Sequence, residues 1–278
     1  MVGFNGRFAW YELLTTDMEA AKAFYTNVMG WGALDASAHG RAYALFAAGN
    51  VLVGGLMELP ENARSTEPGW LGYVGVDDVD AAAERIKRLG GTVLVPPTDI
   101  PSISRFSIFA DPQGARLALL KWQRPGPALH AALDGPGGVG WHEQLAADRE
   151  QALAFYSEIF GWQRTDAHTE EVGTYQLFSM EGEAIGGMLT KPPEVPDPFW
   201  LYYFNVGDLD AAVQRVKACG GEILDGPFEV LGGTCIVRCK DPQGAKFALE
   251  GKLSRGPVGY FERAGADPSD KHGRRWSW

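Results

Sequence analysis

Two glutamates, far apart in the chain, stand in the same chemical setting. Glu12 lies two residues after Trp10, and Glu143 lies two residues after Trp141. Residues two apart on a β-strand share one face, so each glutamate should lie beside its tryptophan. A carboxyl group in such a partly apolar pocket has a raised pKa and can act as a general acid or base. Glu12 and Glu143 are therefore our candidate catalytic residues.

Each glutamate also has a structural interpretation. Carboxylates in such positions are often held by a basic neighbour, and Arg116 and Lys246 on the last strands are the candidates for that partner. Both interpretations stay open at the level of the sequence.

Aromatic residues recur in both halves of the chain near these glutamates. Together they could form a stacking box for a flat or cationic ligand. They could equally fill the space between sheets, because tryptophan is commonly well buried. The candidate ligand-contact residues are Trp10, Trp141, Trp70, Trp200, Tyr43, Tyr175 and Phe106.

The recurrence comes from an internal duplication. "FAWYELLTTDMEAAKAFY" from Phe8 matches "VGWHEQLAADREQALAFY" from Val139 with an offset of 131, and "DPQGA" recurs at Asp111 and Asp241 with an offset of 130. Each half therefore contains two dissimilar parts. A Pro/Gly-rich segment separates the halves. We predict a first domain at residues 1–123, a linker at 124–138, a second domain at 139–254 and a tail at 255–278.

Each part is typical of a strand, a helix and three further strands. In the first part, Asp17 is a good N-cap and Gly30 a good C-terminal stop, and the apolar residues between them recur at steps of three and four. We predict that Met18, Ala21, Tyr25 and Val28 of this helix are buried. We predict the same for Val79, Ala82, Ile86 and Leu89 of a second helix over 79–89. The predicted fold is α+β, built from four βαβββ units at about 8–60, 69–121, 139–190 and 198–253.

Composition restricts the partners. The formal net charge is −10, which disfavours nucleic acid or an anionic membrane as the main partner. No apolar segment reaches the roughly 18–20 residues needed to span a bilayer, so we expect a cytoplasmic protein. The three cysteines form no C-x-x-C pair, and we interpret them as small core residues.

These motifs resemble the glyoxalase, bleomycin-resistance and ring-cleaving dioxygenase superfamily, also called vicinal oxygen chelate proteins. The features that carry the resemblance are the opening strand before the N-cap Asp, the helical "AFY" followed by "GW", the "VDDVDAA…LGG" segment and the "DPQGA" turn. Together they cover nearly the whole chain outside the linker and tail. The resemblance implies two tandem half-barrel domains, each with a cavity.

The resemblance also implies where a divalent metal would bind. Its ligand positions fall on Trp10 and Trp141, near Leu71 and Leu201, and on Ala118 and Ala248. None of these side chains can ligate a metal. His142 should lie on the opposite face of the strand from Glu143. The remaining histidines, which show no metal-ligand spacing, are His39, His130, His168 and His272.

We therefore expect a small, aromatic or amphipathic ligand, no cofactor, and a monomer or homodimer. The ligand would be sequestered or would undergo carboxylate chemistry. One alternative is a metal-dependent lyase or ring-cleaving dioxygenase with shifted ligands such as Glu143 and Glu250. The other is a non-catalytic scaffold that binds a partner through the tail.

Overall fold

A computed structural model describes residues 5–38, 40–61, 67–123, 135–170, 173–230 and 233–254. The predicted tail, residues 124–134 of the predicted linker, and His39, His130 and His272 lie outside the described residues.

Each half of the chain contains two βαβββ units. The first unit comprises β1 (Phe8–Thr15), α1 (Met18–Met29), β2 (Gly32–Asp35), β3 (Ala44–Ala48) and β4 (Val51–Glu58). The second comprises β5 (Gly69–Gly75), α2 (Val79–Arg88), β6 (Thr92–Ile100), β7 (Ser104–Ala110) and β8 (Arg116–Trp122). The third comprises β9 (Val139–Ala146), α3 (Arg149–Phe160), β10 (Gln163–Glu170), β11 (Gly173–Met180) and β12 (Glu183–Thr190). The fourth comprises β13 (Phe199–Asp208), α4 (Leu209–Ala218), β14 (Glu222–Glu229), β15 (Cys235–Lys240) and β16 (Lys246–Lys252).

The units join in pairs into two mixed eight-stranded sheets. The strand orders are β2-β3-β4-β1-β5-β8-β7-β6 and β10-β11-β12-β9-β13-β16-β15-β14. In each sheet the opening strands of two units pair antiparallel at the centre, β1 with β5 and β9 with β13. The α+β fold with four βαβββ units in two tandem half-barrel domains is thus confirmed.

The ends of α1 follow the predicted capping. The Asp17 side chain accepts a hydrogen bond from the Ala20 amide, and Gly30 ends the helix at φ 71°. Ala21, Tyr25 and Val28 are buried as predicted, while Met18 is half-buried.

The prediction for α2 was wrong at its end. Val79 and Ile86 are buried and Ala82 is half-buried, but Leu89 is 37% exposed. The helix ends at Arg88, and Leu89 is its C-cap rather than part of the buried face.

The two domains pack through the helix-bearing faces of their sheets. One continuous apolar core, containing residues of both halves, fills this space. Helix α1 contacts α4, and α2 contacts α3. The opposite face of each sheet, which we call the concave face, carries a separate apolar cluster. The buried cysteines, Cys235 and Cys239, belong to the shared core.

Several repeated motifs serve this domain interface. The Tyr25 hydroxyl of "AFY" donates to Asp241 of the second "DPQGA" at 3.1 Å, and the Tyr156 hydroxyl donates to Asp111 of the first at 2.9 Å. The pairs are reciprocal because the duplicated halves meet about a pseudo-twofold axis. The repeat therefore marks the contact between domains as well as the fold of each.

None of the described helices has the length and apolarity needed to cross a membrane.

Candidate functional site

Glu12 is buried on the concave face of the first half-barrel, where two tyrosines hold its carboxyl group. The Tyr73 hydroxyl donates a hydrogen bond of 2.7 Å to Glu12 Oε2, and the Tyr43 hydroxyl donates another. Burial raises the pKa of Glu12, and these two hydrogen bonds partly oppose the shift. Among the described residues, the hydrogen-bond partners of Glu12 are neutral phenols, and none forms an ion pair with it. Such a carboxyl group is able to exchange a proton with a bound ligand.

A glycine on the neighbouring strand makes this arrangement possible. A Cβ atom at Gly55 would overlap the Tyr43 hydroxyl and lie 3.1 Å from Glu12 Oε1. The second half-barrel repeats the device, since a Cβ atom at Gly187 would overlap the Tyr175 ring. Each tyrosine therefore reaches across its strand only because the strand carries glycine there.

Aromatic side chains line the rest of the first concave face. The Trp10 indole N–H donates to the Tyr43 hydroxyl. Trp10 meets the Trp122 ring edge to face, with centroids 6.1 Å apart, and the Tyr73 ring lies 6.4 Å from that of Phe106. Trp10 and Tyr73 are buried, while Phe106 and Trp122 are half-buried. The first concave face thus combines an apolar aromatic lining with the carboxyl group of Glu12.

In the second half-barrel, Glu143 is part of a buried ion-pair cluster. Arg238 Nη2 lies 3.1 Å from Glu143 Oε1, and the two side chains are 5% and 4% exposed. Tyr203 donates to the same oxygen at 3.0 Å, and Arg238 also reaches Asp225 at 3.5 Å. A cation therefore already occupies the centre of this site.

The difference between the two sites follows from two cross-strand positions. Arg238 on β15 lies opposite Asp225 on β14, whereas Ile108 on β7 lies opposite Val95 on β6 at the corresponding place. Because the first half carries two aliphatic residues there, no cation among the described residues pairs with Glu12. The two duplicated sites therefore share the hydrogen bond between tyrosine and glutamate and differ in the charge beside the glutamate.

The concave faces bring together most of the candidate ligand-contact residues. In the second site Trp141 Nε1 donates to the Tyr175 hydroxyl at 2.8 Å, which parallels the contact between Trp10 and Tyr43. These four residues, with Phe106 and the two glutamates, lie on the concave faces.

The prediction that Trp70 and Trp200 contact the ligand is corrected by the structure, which brings neither residue to either site. Both lie in the core on the helix-bearing face, and their indole N–H groups donate to Tyr25 and Tyr156 at 3.0 and 3.1 Å. Side chains alternate along a strand, and Leu71 and Leu201, their immediate neighbours, point to the concave face instead.

The predicted basic partners also need correction. Arg116 is exposed, and the Lys246 ammonium lies 4.8 Å from the centre of the Phe199 ring. Glu12 instead has tyrosine partners, and the cation beside Glu143 is Arg238. Arg238 lies on β15 rather than on the last strand, so the sequence alone did not place it.

Four residues of these sites were not predicted from the sequence. They are Tyr73, Tyr203, Arg238 and Trp122. The duplication did contain a signal for two of them, since Tyr73 and Tyr203 recur with the offset of 130.

His142 lies on the helix-bearing face, as predicted from strand alternation. Its Nδ1 lies 2.6 Å from the Ile185 carbonyl oxygen, to which it donates, and its Nε2 lies 2.5 Å from the Tyr11 hydroxyl. The Phe8 ring stacks on it at 3.7 Å. Burial lowers the pKa of His142 to about 3, so the imidazole is neutral and serves the domain interface.

Residues 7–119 and 138–249 match the sequence family described as the Glyoxalase/Bleomycin resistance protein/Dioxygenase superfamily. The chain belongs to this superfamily. Each matched stretch corresponds to one half-barrel, so the superfamily unit occurs twice.

Two curated superfamily relatives align with most of the chain. CFP32 of Mycobacterium bovis, provisionally named a glyoxylase, is 32% identical over 244 residues, which cover 86% of this chain and 92% of CFP32. The anthracycline biosynthesis protein DauV of Streptomyces sp. strain C5 is 30% identical over 258 residues, covering 88% of this chain and 92% of DauV.

Solved structures of the superfamily share the fold at low identity. The Mn(II)-bound glyoxalase from Novosphingobium aromaticivorans has a TM-score of 0.61 and 17% identity, with 90% of this chain and 83% of that chain covered. A variant of homoprotocatechuate 2,3-dioxygenase from B. fuscum has a TM-score of 0.64 and 16% identity, with 88% and 70% covered.

The donor chemistry of this chain does not fit the divalent metal of such superfamily members. The positions expected for metal ligands lie together on the concave faces but are apolar; they are Trp10, Leu71 and Ala118 in the first half, and Trp141, Leu201 and Ala248 in the second. Within the described ranges, no group of three or more His, Cys, Asp or Glu could hold a metal. Glu12 stands as a single carboxylate, and Glu143 is paired with Arg238.

Proposed function

We propose that this superfamily member binds a small, aromatic or amphipathic molecule on a concave half-barrel face, without a divalent metal ion. The observation that carries the proposal is the carboxyl group of Glu12, which is buried among aromatic side chains and held by Tyr43 and Tyr73. Apolar walls with a few convergent polar groups are the usual form of small-molecule sites.

The relatives are consistent with a ligand of this class. Biphenyl-2,3-diol 1,2-dioxygenase of Paraburkholderia xenovorans, whose name specifies an aromatic substrate, is 27% identical over 173 residues, 54% of this chain and 58% of that enzyme. This likeness supports an aromatic ligand and leaves its identity to experiment.

Binding and metal content test the proposal together. The full chain, purified without added chelator, is analysed for zinc, nickel, manganese and iron, and is titrated with naphthalene and 2-naphthol while tryptophan fluorescence is recorded. We expect far less than one metal ion per chain and saturable binding of an aromatic probe that a chelator leaves unchanged. A near-stoichiometric metal ion, or the absence of binding by both probes, would refute the proposal.

The raised pKa of Glu12 favours a second candidate function, proton transfer on the bound ligand. A carboxylate in this position can take a proton from a hydroxyl-bearing carbon next to a carbonyl group and return it to the carbonyl carbon, while the hydroxyl proton moves to the carbonyl oxygen. The hemithioacetal formed by methylglyoxal and a thiol is a suitable test substrate. We expect the Glu12→Gln variant to lose turnover that a chelator does not affect; turnover abolished by chelator and restored by metal would instead support the metal-dependent alternative.

A further inference from the structure

We propose that only the first half-barrel binds the ligand, and that this ligand is an uncharged aromatic molecule with a hydroxyl group that donates a hydrogen bond to Glu12. This inference rests on the proposed function and specifies both the site and the chemistry of the ligand.

The two concave faces differ in charge at four corresponding positions. The first half carries apolar residues where the second carries charged ones; the pairs are Val95 and Asp225, Ile108 and Arg238, Leu120 and Glu250, and Trp122 and Lys252. An uncharged aromatic ligand loses little solvation free energy when it moves from water to the first concave face. On the second face the same ligand would have to displace or desolvate charged groups, which is unfavourable.

Glu12 has acceptor capacity that the described residues do not use. An ionised carboxylate offers about four acceptor positions, and within the described ranges the donors to Glu12 are the hydroxyls of Tyr43 and Tyr73. A phenolic or enolic hydroxyl of the ligand would complete this set. An anionic ligand would be repelled by the same carboxylate, because buried charges are poorly screened.

A second polar group at this face also lacks a partner. Trp122 Nε1 is buried and has no hydrogen-bond partner among the described residues. Trp122 belongs to the same aromatic cluster as Trp10. Buried donors are nearly always satisfied in proteins, so an acceptor atom on the ligand would resolve this one. The corresponding Lys252 of the second half is exposed.

The second half-barrel is closed by its own cation. Arg238 donates to Glu143 at 3.1 Å and to the Tyr203 hydroxyl at 3.3 Å, and it lies 3.5 Å from Asp225. A ligand could reach Glu143 only by displacing this guanidinium. Because the ion pair is almost fully buried, the displacement would leave charges unpaired in an apolar setting.

Calorimetric titration of the full-length protein with 2-naphthol and naphthalene tests the inference. We expect one 2-naphthol per chain and about tenfold weaker binding of naphthalene, the effect of one hydrogen bond to a charged acceptor. Glu12→Gln should weaken 2-naphthol binding about tenfold and change naphthalene binding by less than twofold. The matched variant Glu143→Gln, shown to be folded by circular dichroism at the titration temperature, should change neither.

A charge transplant provides an independent test. The double variant Val95→Asp/Ile108→Arg gives the first half-barrel the charges of the second. We expect this variant to remain folded by circular dichroism and to lose 2-naphthol binding. The reciprocal variant Asp225→Val/Arg238→Ile should raise the stoichiometry from one ligand per chain towards two.

The outcomes separate the inference from the function on which it rests. Two ligands bound by the wild type, or equal losses in the Glu12 and Glu143 variants, would overturn the inference and leave the proposed function intact. Unchanged binding in a folded charge-transplant variant would overturn it as well. Failure of both probes to bind the wild type would refute the proposed function and, with it, the inference.

Discussion

Replacement of Arg238 by methionine should strongly destabilise the second domain. The Arg238 and Glu143 side chains are 5% and 4% exposed, and Asp225 is 12% exposed. Removing one partner of a buried ion pair leaves the other charge unpaired, which typically destabilises a protein by about 3–5 kcal/mol. We expect a loss of that size in the free energy of unfolding, measured by guanidinium denaturation at pH 7.

Two controls show whether burial is the cause. Arg105 pairs with Asp80 at 2.8 Å, but the two side chains are 31% and 60% exposed, so Arg105→Met should lose about 1 kcal/mol or less. The double variant Arg238→Met/Glu143→Gln also removes the Glu143 charge that Arg238→Met leaves unpaired. At least half of the stability lost in Arg238→Met should therefore return. A loss near that of Arg105→Met would refute our account of the second site.

Three further predictions concern the first site and the domain interface. Because the pKa of Glu12 is raised, its carboxyl group binds a proton more tightly in the folded protein than in the unfolded chain. The wild type should therefore lose stability relative to Glu12→Gln as the pH rises above about 4.5. The pKa of His142 is lowered from 6.5 to about 3, so its contribution is complete above pH 6.5 and declines below it. Relative to His142→Gln, the free energy of unfolding of the wild type should fall by about 1.4 kcal/mol for each pH unit below 6.5, or by about 3 kcal/mol at pH 4. Melting curves recorded across pH measure the effects of both Glu12 and His142. Parallel pH dependences for variant and wild type would contradict them. Gly55→Ala should displace Tyr43 and destabilise the protein by about 1–3 kcal/mol. Gly69→Ala should have little effect, because a Cβ atom there would meet nothing within 4 Å. Equal losses of stability in urea denaturation would show that packing against Tyr43 is not the cause.

The sequence was sufficient to predict the repeated fold. Helix α1 begins after Asp17 and ends at Gly30 because local capping chemistry fixes these positions. The placement of Glu12 beside Trp10 on a concave strand face also followed from local geometry, since alternate residues of a strand share a face. These features depend on neighbours in the chain, so the order of residues determines them.

Faces and partners across the sheet were harder to infer. Trp70 has a counterpart in the second half, as a residue of a duplicated ligand site would. Its indole N–H nevertheless donates a hydrogen bond to Tyr25 in the domain core. Its recurrence reflects the interface, because two duplicated halves that pack against each other need the same residues twice. A repeat in the sequence therefore does not distinguish a repeated site from a repeated contact.

The sequence by itself determined the α+β fold, the duplication and the two glutamates. Only the tertiary structure decided that these glutamates are different groups, because their partners come from strands distant in the chain: Glu12 meets Tyr73 on β5, and Glu143 meets Arg238 on β15. The charge state and hydrogen bonding of a buried carboxyl group depend on what surrounds it in space. Two substitutions across the sheet, Val95 and Ile108 in the first half for Asp225 and Arg238 in the second, therefore separate two sites that the sequence presents as copies.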